Sequence, residues 1–189
     1  MRKVKNFKIN LRTKDIIRSI KRLSVNETGF PEDFDITVQK ACRYYSNFIH
    51  PSVIYDAFNK DSIVSISEKD APQKWIARSI LFVTIGSLLE QECKKNMTQF
   101  GEYTETIVSS IAVDALDQSK NFVCRIISSE ADNENCDISR AVEVPNEFYA
   151  GLSKVIPIDK IDISLEDDKL SPKYSLCSMV YWTPSKKKK

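Results

Sequence analysis

The stretch Ile80-Leu81-Phe82-Val83-Thr84-Ile85-Gly86, followed by Ser87-Leu88-Leu89-Glu90-Gln91-Glu92-Cys93, decides how this chain folds. Its first half is a short apolar run rich in β-branched and aromatic residues, the pattern of a buried strand. Gly86 permits a sharp turn, and Ser87 is a good cap for a following helix. Leu88, Leu89 and Cys93 recur near helical spacing, leaving Glu90, Glu92, Lys94 and Lys95 for water. A junction of this kind presents backbone amides to a ligand. Most such junctions bind nothing, so the stretch speaks for architecture before chemistry.

Beyond Gly101, a helix is predicted over about Thr104 to Ser129. Its apolar face (Ile107, Val108, Ile111, Ala112, Ala115, Phe122, Val123, Ile126) is wide enough for a central position, with Asp114 and Asp117 near its edge. A polar loop is expected from Ser129 to Asp137, and Glu143 to Ser153 mixes loop and helix. Ile161, Ile163 and Leu165 alternate with polar residues and predict a half-buried strand. After the turn Ser171-Pro172-Lys173, Tyr174 to Trp182 is apolar on both faces, which predicts an inner strand.

Toward the N-terminus, Lys5 to Leu11 alternates weakly and reads as a short edge strand. Thr13 is expected to cap a helix carrying Ile16, Ile17, Ile20 and Leu23. Residues 26–33 read as a loop. A second helix, about Asp35 to Phe48, should bury Ile36, Val38, Ala41, Cys42 and Tyr45 and end before Pro51. Val53–Phe58 and Ile63–Ile66 read as strands, and Trp75-Ile76 as a short helical piece.

The 189 residues suit one domain over 1–185, with a basic segment at 1–22 and a basic tail at 186–189. Residues 1–22 carry a net charge of +8, the last four residues +4, and the 163 between them −10. An acidic body argues against nucleic acid as the main partner. No apolar run approaches the roughly 20 residues that span a bilayer, and no leader peptide is expected. The five cysteines are scattered and never in a Cys-x-x-Cys pair, which predicts reduced thiols in a cytoplasm and no zinc ribbon. The single histidine, His50, makes a hydrolytic triad improbable, and no nucleophile–base set is visible.

Several local strings resemble the activation domain of cobalamin-dependent methionine synthase and its small stand-alone relatives. Phe82-Val83-Thr84-Ile85-Gly86 with Leu88-Leu89-Glu90 resembles the family's Thr-Ile-Gly element. Ile49-His50-Pro51-Ser52-Val53-Ile54-Tyr55 resembles its Pro-x-x-(Val/Ile)-Tyr segment. Ile161-Asp162-Ile163-Ser164-Leu165 with Leu170-Ser171-Pro172-Lys173-Tyr174-Ser175 resembles its closing strand pair. The order and spacing of these strings extend over nearly the whole chain.

The resemblance implies an α+β fold, a twisted antiparallel sheet with helices packed around it. It also implies a stand-alone reactivation partner for a corrinoid protein or for methionine synthase modules. Such a protein binds S-adenosylmethionine and docks over cobalamin held by the partner. An electron donor protein re-reduces oxidised cobalamin, which the sulfonium then methylates, and the chain's own task is orientation. The ligand needs a cation, an anion, electron-rich groups and a stacking surface. Arg140, Glu143, Tyr149, Tyr174 and Ser175 are the candidates for these, with Asp117 for the ammonium. Each also has a plainer reading: Arg140 as a surface arginine, the tyrosines as half-buried aromatics, Asp117 as an exposed helix acid. The chain departs from the family at Arg140-Ala141-Val142-Glu143-Val144-Pro145-Asn146, where an Arg and a Pro are present but the Gly-Tyr turn is not. A position needing positive φ is poorly served without Gly. That departure supports an alternative expectation: a relative that keeps the fold, has lost the ligand, and acts as a docking or assembly subunit.

Overall fold

The computed structural model describes residues 1–23, 29–62, 66 and 71–185. Residues 63–65 of the strand predicted at 63–66, part of the loop at 26–33 and the tail at 186–189 therefore lie outside the described residues. The core is an antiparallel sheet built on β2 (Ser52–Asn59), β3 (Ala77–Thr84) and β8 (Ser175–Pro184). β1 (Arg2–Lys5) lies on the outer edge of β2, while β4 (Cys136–Ile138) and β5 (Val142–Glu143) both pair with the outer edge of β8. The α+β architecture expected from the sequence is the one observed, and β8 is interior, between β3 and the β4–β5 segment.

Both faces of this sheet are covered, which explains the unbroken apolar runs in β3 and β8. Alternate residues serve opposite layers. Leu81, Val83, Val180 and Trp182 face the long helix α4 (Thr104–Asn133), with its Val123, Ile127 and Ala131. Ile80, Phe82, Cys177, Met179 and Tyr181 face α5 (Tyr149–Ser153) and the residues after it, Ile156 to Ile163. A third cluster joins α1 (Thr13–Leu23), α2 (Phe34–Tyr45), α3 (Leu88–Lys95) and the start of α4. Each fully buried Leu, Ile, Val or Phe contributes about 1.5–3 kcal/mol, so the β3–β8 pair is the main investment of the fold.

Several sequence expectations need correction. The N-terminal strand is Arg2–Lys5 rather than Lys5–Leu11, because Asn6 adopts φ 55° and ends it. Phe7, Ile9 and Leu11 still pack on the core, but from an extended segment. Thr13 is the first helical residue, not the cap. The carbonyl of Arg12 accepts the first helical bonds, and the Arg12 amide donates to Asp114 at 3.0 Å. Ile36 is 53% exposed because it falls off the Phe34–Val38–Ala41–Tyr45 stripe. Ser87 sits at the cap position, but its hydroxyl accepts from Gln91 at 3.0 Å instead of capping α3.

Trp75 and Ile76 follow a turn and lead directly into β3, and are not helical. α4 continues to Asn133, since Ala131 extends the Ile127 stripe by one turn, and most of the predicted 129–137 loop is helix and strand. Ile161 and Ile163 are buried, but Ile161 closes a short 3-10 turn (Ile158–Ile161) that ends at Asp162 with φ 60°, and Ile163 follows it outside any strand. The strand begins at β6 (Ser164–Glu166), which forms a hairpin with β7 (Lys169–Ser171). Gly86, at φ 81°, makes the turn expected of it. All five cysteines are free, and no helix among the described residues is long and apolar enough to cross a membrane.

Candidate functional site

The turn chemistry of residues 164–176 builds one wall of a cavity of about 580 Å³. Leu165 and Leu170 pair across the hairpin, and the two residues between its strands, Asp167 and Asp168, take φ 49° and 59°. Two left-handed residues give a tight turn whose twist matches the strands. The hairpin thereby sets Glu166, Asp167 and Lys169 on the cavity rim, with Lys173 and Ser175 where the chain enters β8. The opposite wall is Glu143 at the end of β5, Asn146 and Tyr149, and Glu90 of α3 closes the third side. Four carboxylates and two lysines line it, so the cavity is acidic. Among the described residues no cluster has the composition of a metal site.

Its buried parts are held by the sheet. The Tyr149 ring meets Phe82 edge-on at 6.2 Å and is only 4% exposed. Burial pushes the Tyr149 phenol up to about 12, helped by the nearby Cys177 thiol and Glu143 and opposed by the Cys177 backbone amide. Burial also raises the Cys177 thiol well above its ordinary value. Both groups are therefore neutral and inert at physiological pH. Ser175 donates to the Thr84 hydroxyl at 3.0 Å, and the Gly86 amide donates to the same oxygen at 3.0 Å. This ties the Thr-Ile-Gly element to the mouth of β8. On α3, Lys94 donates to Glu90 at 2.7 Å and holds its carboxyl below the usual range against partial burial. The Lys173 amide at 3.4 Å acts in the same sense.

Of the residues expected from the sequence, Glu143, Tyr149 and Ser175 come together here. Arg140, Tyr174 and Asp117 do not line the cavity. Arg140 lies in the break between β4 and β5, exposed to solvent. Tyr174 is 9% exposed and belongs to the helical core, with the Lys173 ammonium 5.5 Å from its ring centre. Asp117 is on α4, where it accepts from Arg12 and Lys120, both at 3.1 Å. Burial raises its carboxyl, but Lys120 and Arg12 outweigh that and hold it below the usual range. Glu90, Glu166, Asp167, Lys169 and Lys173 were not singled out by the sequence. The signal that would have found the hairpin residues is Asp-Asp between Leu165 and Leu170, a two-residue turn flanked by apolar partners.

No family model matches the chain, and no curated protein matches its sequence. Among solved structures, the MetH reactivation domain bound to AdoHcy is similar in fold. The TM-score is 0.58 at 9% sequence identity, covering 100% of this chain and 81% of that one.

Proposed function

We propose that this protein binds S-adenosylmethionine in the acidic cavity and serves as a reactivation partner for a corrinoid-dependent methyltransferase. The observation that carries the reading is the convergence of Glu143, Tyr149 and Ser175 on one cavity in a fold similar to a domain that binds AdoHcy. The donor set fits the amino-acid and sulfonium part of the ligand. Its two cations meet an excess of carboxylates, and Lys169 or Lys173 is available for its carboxylate in place of Arg140. The fit is poorer for adenine, because Tyr149, the one aromatic ring on the wall among the described residues, is nearly all buried; Leu170 and Leu176 supply the apolar surface. The ligand supplies the methyl group, and the chain's residues hold the sulfonium facing the mouth, where a partner presents its corrinoid. Holding two reactants in register is worth up to about 7–11 kcal/mol of a barrier.

Calorimetry with S-adenosylmethionine and AdoHcy tests this. The sulfonium ligand should bind more tightly than the neutral thioether. Glu143→Gln should weaken it roughly fivefold, the worth of about 1 kcal/mol at an exposed charge. Arg140→Ala should change little. Equal binding of the two ligands, or indifference to Glu143→Gln, would place the ligand elsewhere. The position of Arg140 off the cavity favours a second reading, a relative that has lost the ligand and acts in docking or assembly. No binding at millimolar ligand would support it.

A further inference from the structure

A second cavity, of about 600 Å³, lies between the extended N-terminal segment and α4. The segment is pinned there by Phe7, which stacks on Phe122 of α4 with ring centres 4.4 Å apart. Lys8 and Asn10 reach the cavity from the segment, and Arg125 and Ser128 from the next turn of α4. Among the described residues that line it there is no carboxylate. Asp114 and Asp117 of α4 are already engaged: Arg12 binds both, at 2.7 Å and 3.1 Å. Gln118 and Asn121 each donate to one of the same pair.

Part of the basic segment is already neutralised. Arg2, Lys5, Arg12, Arg18 and Lys21 all have carboxylate partners. Among the described residues Lys8 and Arg125 have none, and neither do Lys3, Lys14 and Arg22, but Lys8 and Arg125 line the same cavity. Lys8 and Asn10 also line a neighbouring cavity of about 470 Å³ against the end of α2, where among the described residues there is again no carboxylate and a third cation, Arg43, has no salt bridge. Cations held around a concavity with no counter-charge attract an anion. An arginine fork matches the oxygens of phosphate, and a lysine adds a point charge.

We infer that the cavity between the N-terminal segment and α4 binds a small organic phosphate, with Arg125 and Lys8 on the phosphate and the Phe122 ring as the wall for its apolar body. Two unpaired cations match a phosphate monoester, which carries about −1.5 to −2 charges at neutral pH. Asn10 and Ser128 supply neutral hydrogen-bonding groups at the same mouth. The site is separate from the acidic cavity and stands whether or not that cavity takes a sulfonium.

The test is calorimetry on the full chain with phenyl phosphate, inorganic phosphate and benzoate. Phenyl phosphate should bind most tightly, because it alone combines the dianion with a ring. Arg125→Gln and Lys8→Gln should each weaken it about tenfold. High salt should weaken it too. Both positions are exposed, so the fold is expected to survive the substitutions. Glu143→Gln should leave phenyl phosphate binding unchanged. Absence of binding at tens of millimolar, equal binding of phenyl phosphate and benzoate, or binding untouched by both variants would overturn the assignment. Equal binding of inorganic and phenyl phosphate would overturn the role of Phe122.

Discussion

The acidic and the basic cavity are nearly the same size, about 580 and 600 Å³, and lie against opposite layers of one sheet. They differ in charge because they draw on different parts of the chain. Most of the acidic one is assembled from short late strands and the turn between two of them, which carry Glu143, Glu166 and Asp167. The basic one forms where the first residues of the chain, rich in Lys and Arg, are laid along α4. A near-neutral total charge of +2 therefore hides two concavities of opposite sign. Segregation of charge along the sequence has become segregation in space. Their foundations differ as well: the floor of the acidic cavity is core, and the floor of the basic one is a half-buried aromatic stack.

The sharpest way to break this comparison is to remove one ring from each floor. Tyr149→Ala empties a site that is 4% exposed and packed on Phe82, and should cost about 3–5 kcal/mol in urea unfolding. Phe122→Ala removes a half-buried ring and its stack on Phe7, and should cost about 1–2 kcal/mol. Equal costs would mean that the two cavities rest on equally deep foundations.

A smaller effect separates the two at high pH. The Tyr149 phenol is raised from 10.0 to about 12 in the folded state. Its contribution to stability is fully present below pH 10 and is lost as pH rises toward 12, because only the unfolded chain ionises in that window. Two pH units correspond to about 2–3 kcal/mol. Tyr149→Phe should remove that part of the alkaline loss, measured as the urea midpoint between pH 9 and 12. Tyr45 and Tyr55, also raised to about 12, should leave a residual slope. A variant as alkali-sensitive as the parent would mean that Tyr149 is in contact with water.

These contrasts also show how far the sequence could be read. β3, β8 and α4 were legible because each carries a long apolar pattern that only one secondary structure and one burial state satisfy. Gly86 was legible because its turn needs φ 81°. The β4–β5 segment was not: it is short, broken at Ser139–Ala141, and exists only because β8 offers an open edge. Arg140 sits in that break, exposed and outside the lining of the cavity to which Glu143 belongs. Asp117 and Tyr174 look like ligand groups by residue type, but Arg12 and the helical core use them. Asp114 looked like an edge acid and is 7% exposed, because Arg12 arrives from 102 positions away. Lys173 and Glu90 meet only after the hairpin folds back, a contact across 83 positions.

The smallest expected effect concerns Glu90, the acid that the acidic cavity shares with a smaller one beside Tyr174. Lys94 at 2.7 Å and the Lys173 amide at 3.4 Å favour its ionised form, and together they outweigh partial burial. A depressed carboxyl stabilises the fold above its unfolded-state value, and that contribution is lost as pH falls through the lower folded value. The window is therefore acidic, opposite to that of Tyr149. Glu90→Gln keeps the shape and one acceptor but removes the charge, so it should flatten the acid limb of the stability profile while changing neutral stability by roughly 0.5 kcal/mol or less. Arg125→Gln is the matching change in the basic cavity. It should leave the acid limb as it is, because among the described residues no carboxylate lines that wall. Thermal unfolding from pH 7 down to 3 would read both. An acid limb unchanged in Glu90→Gln, or flattened equally in Arg125→Gln, would mean that the charge difference between the two cavities does not reach the stability of the fold.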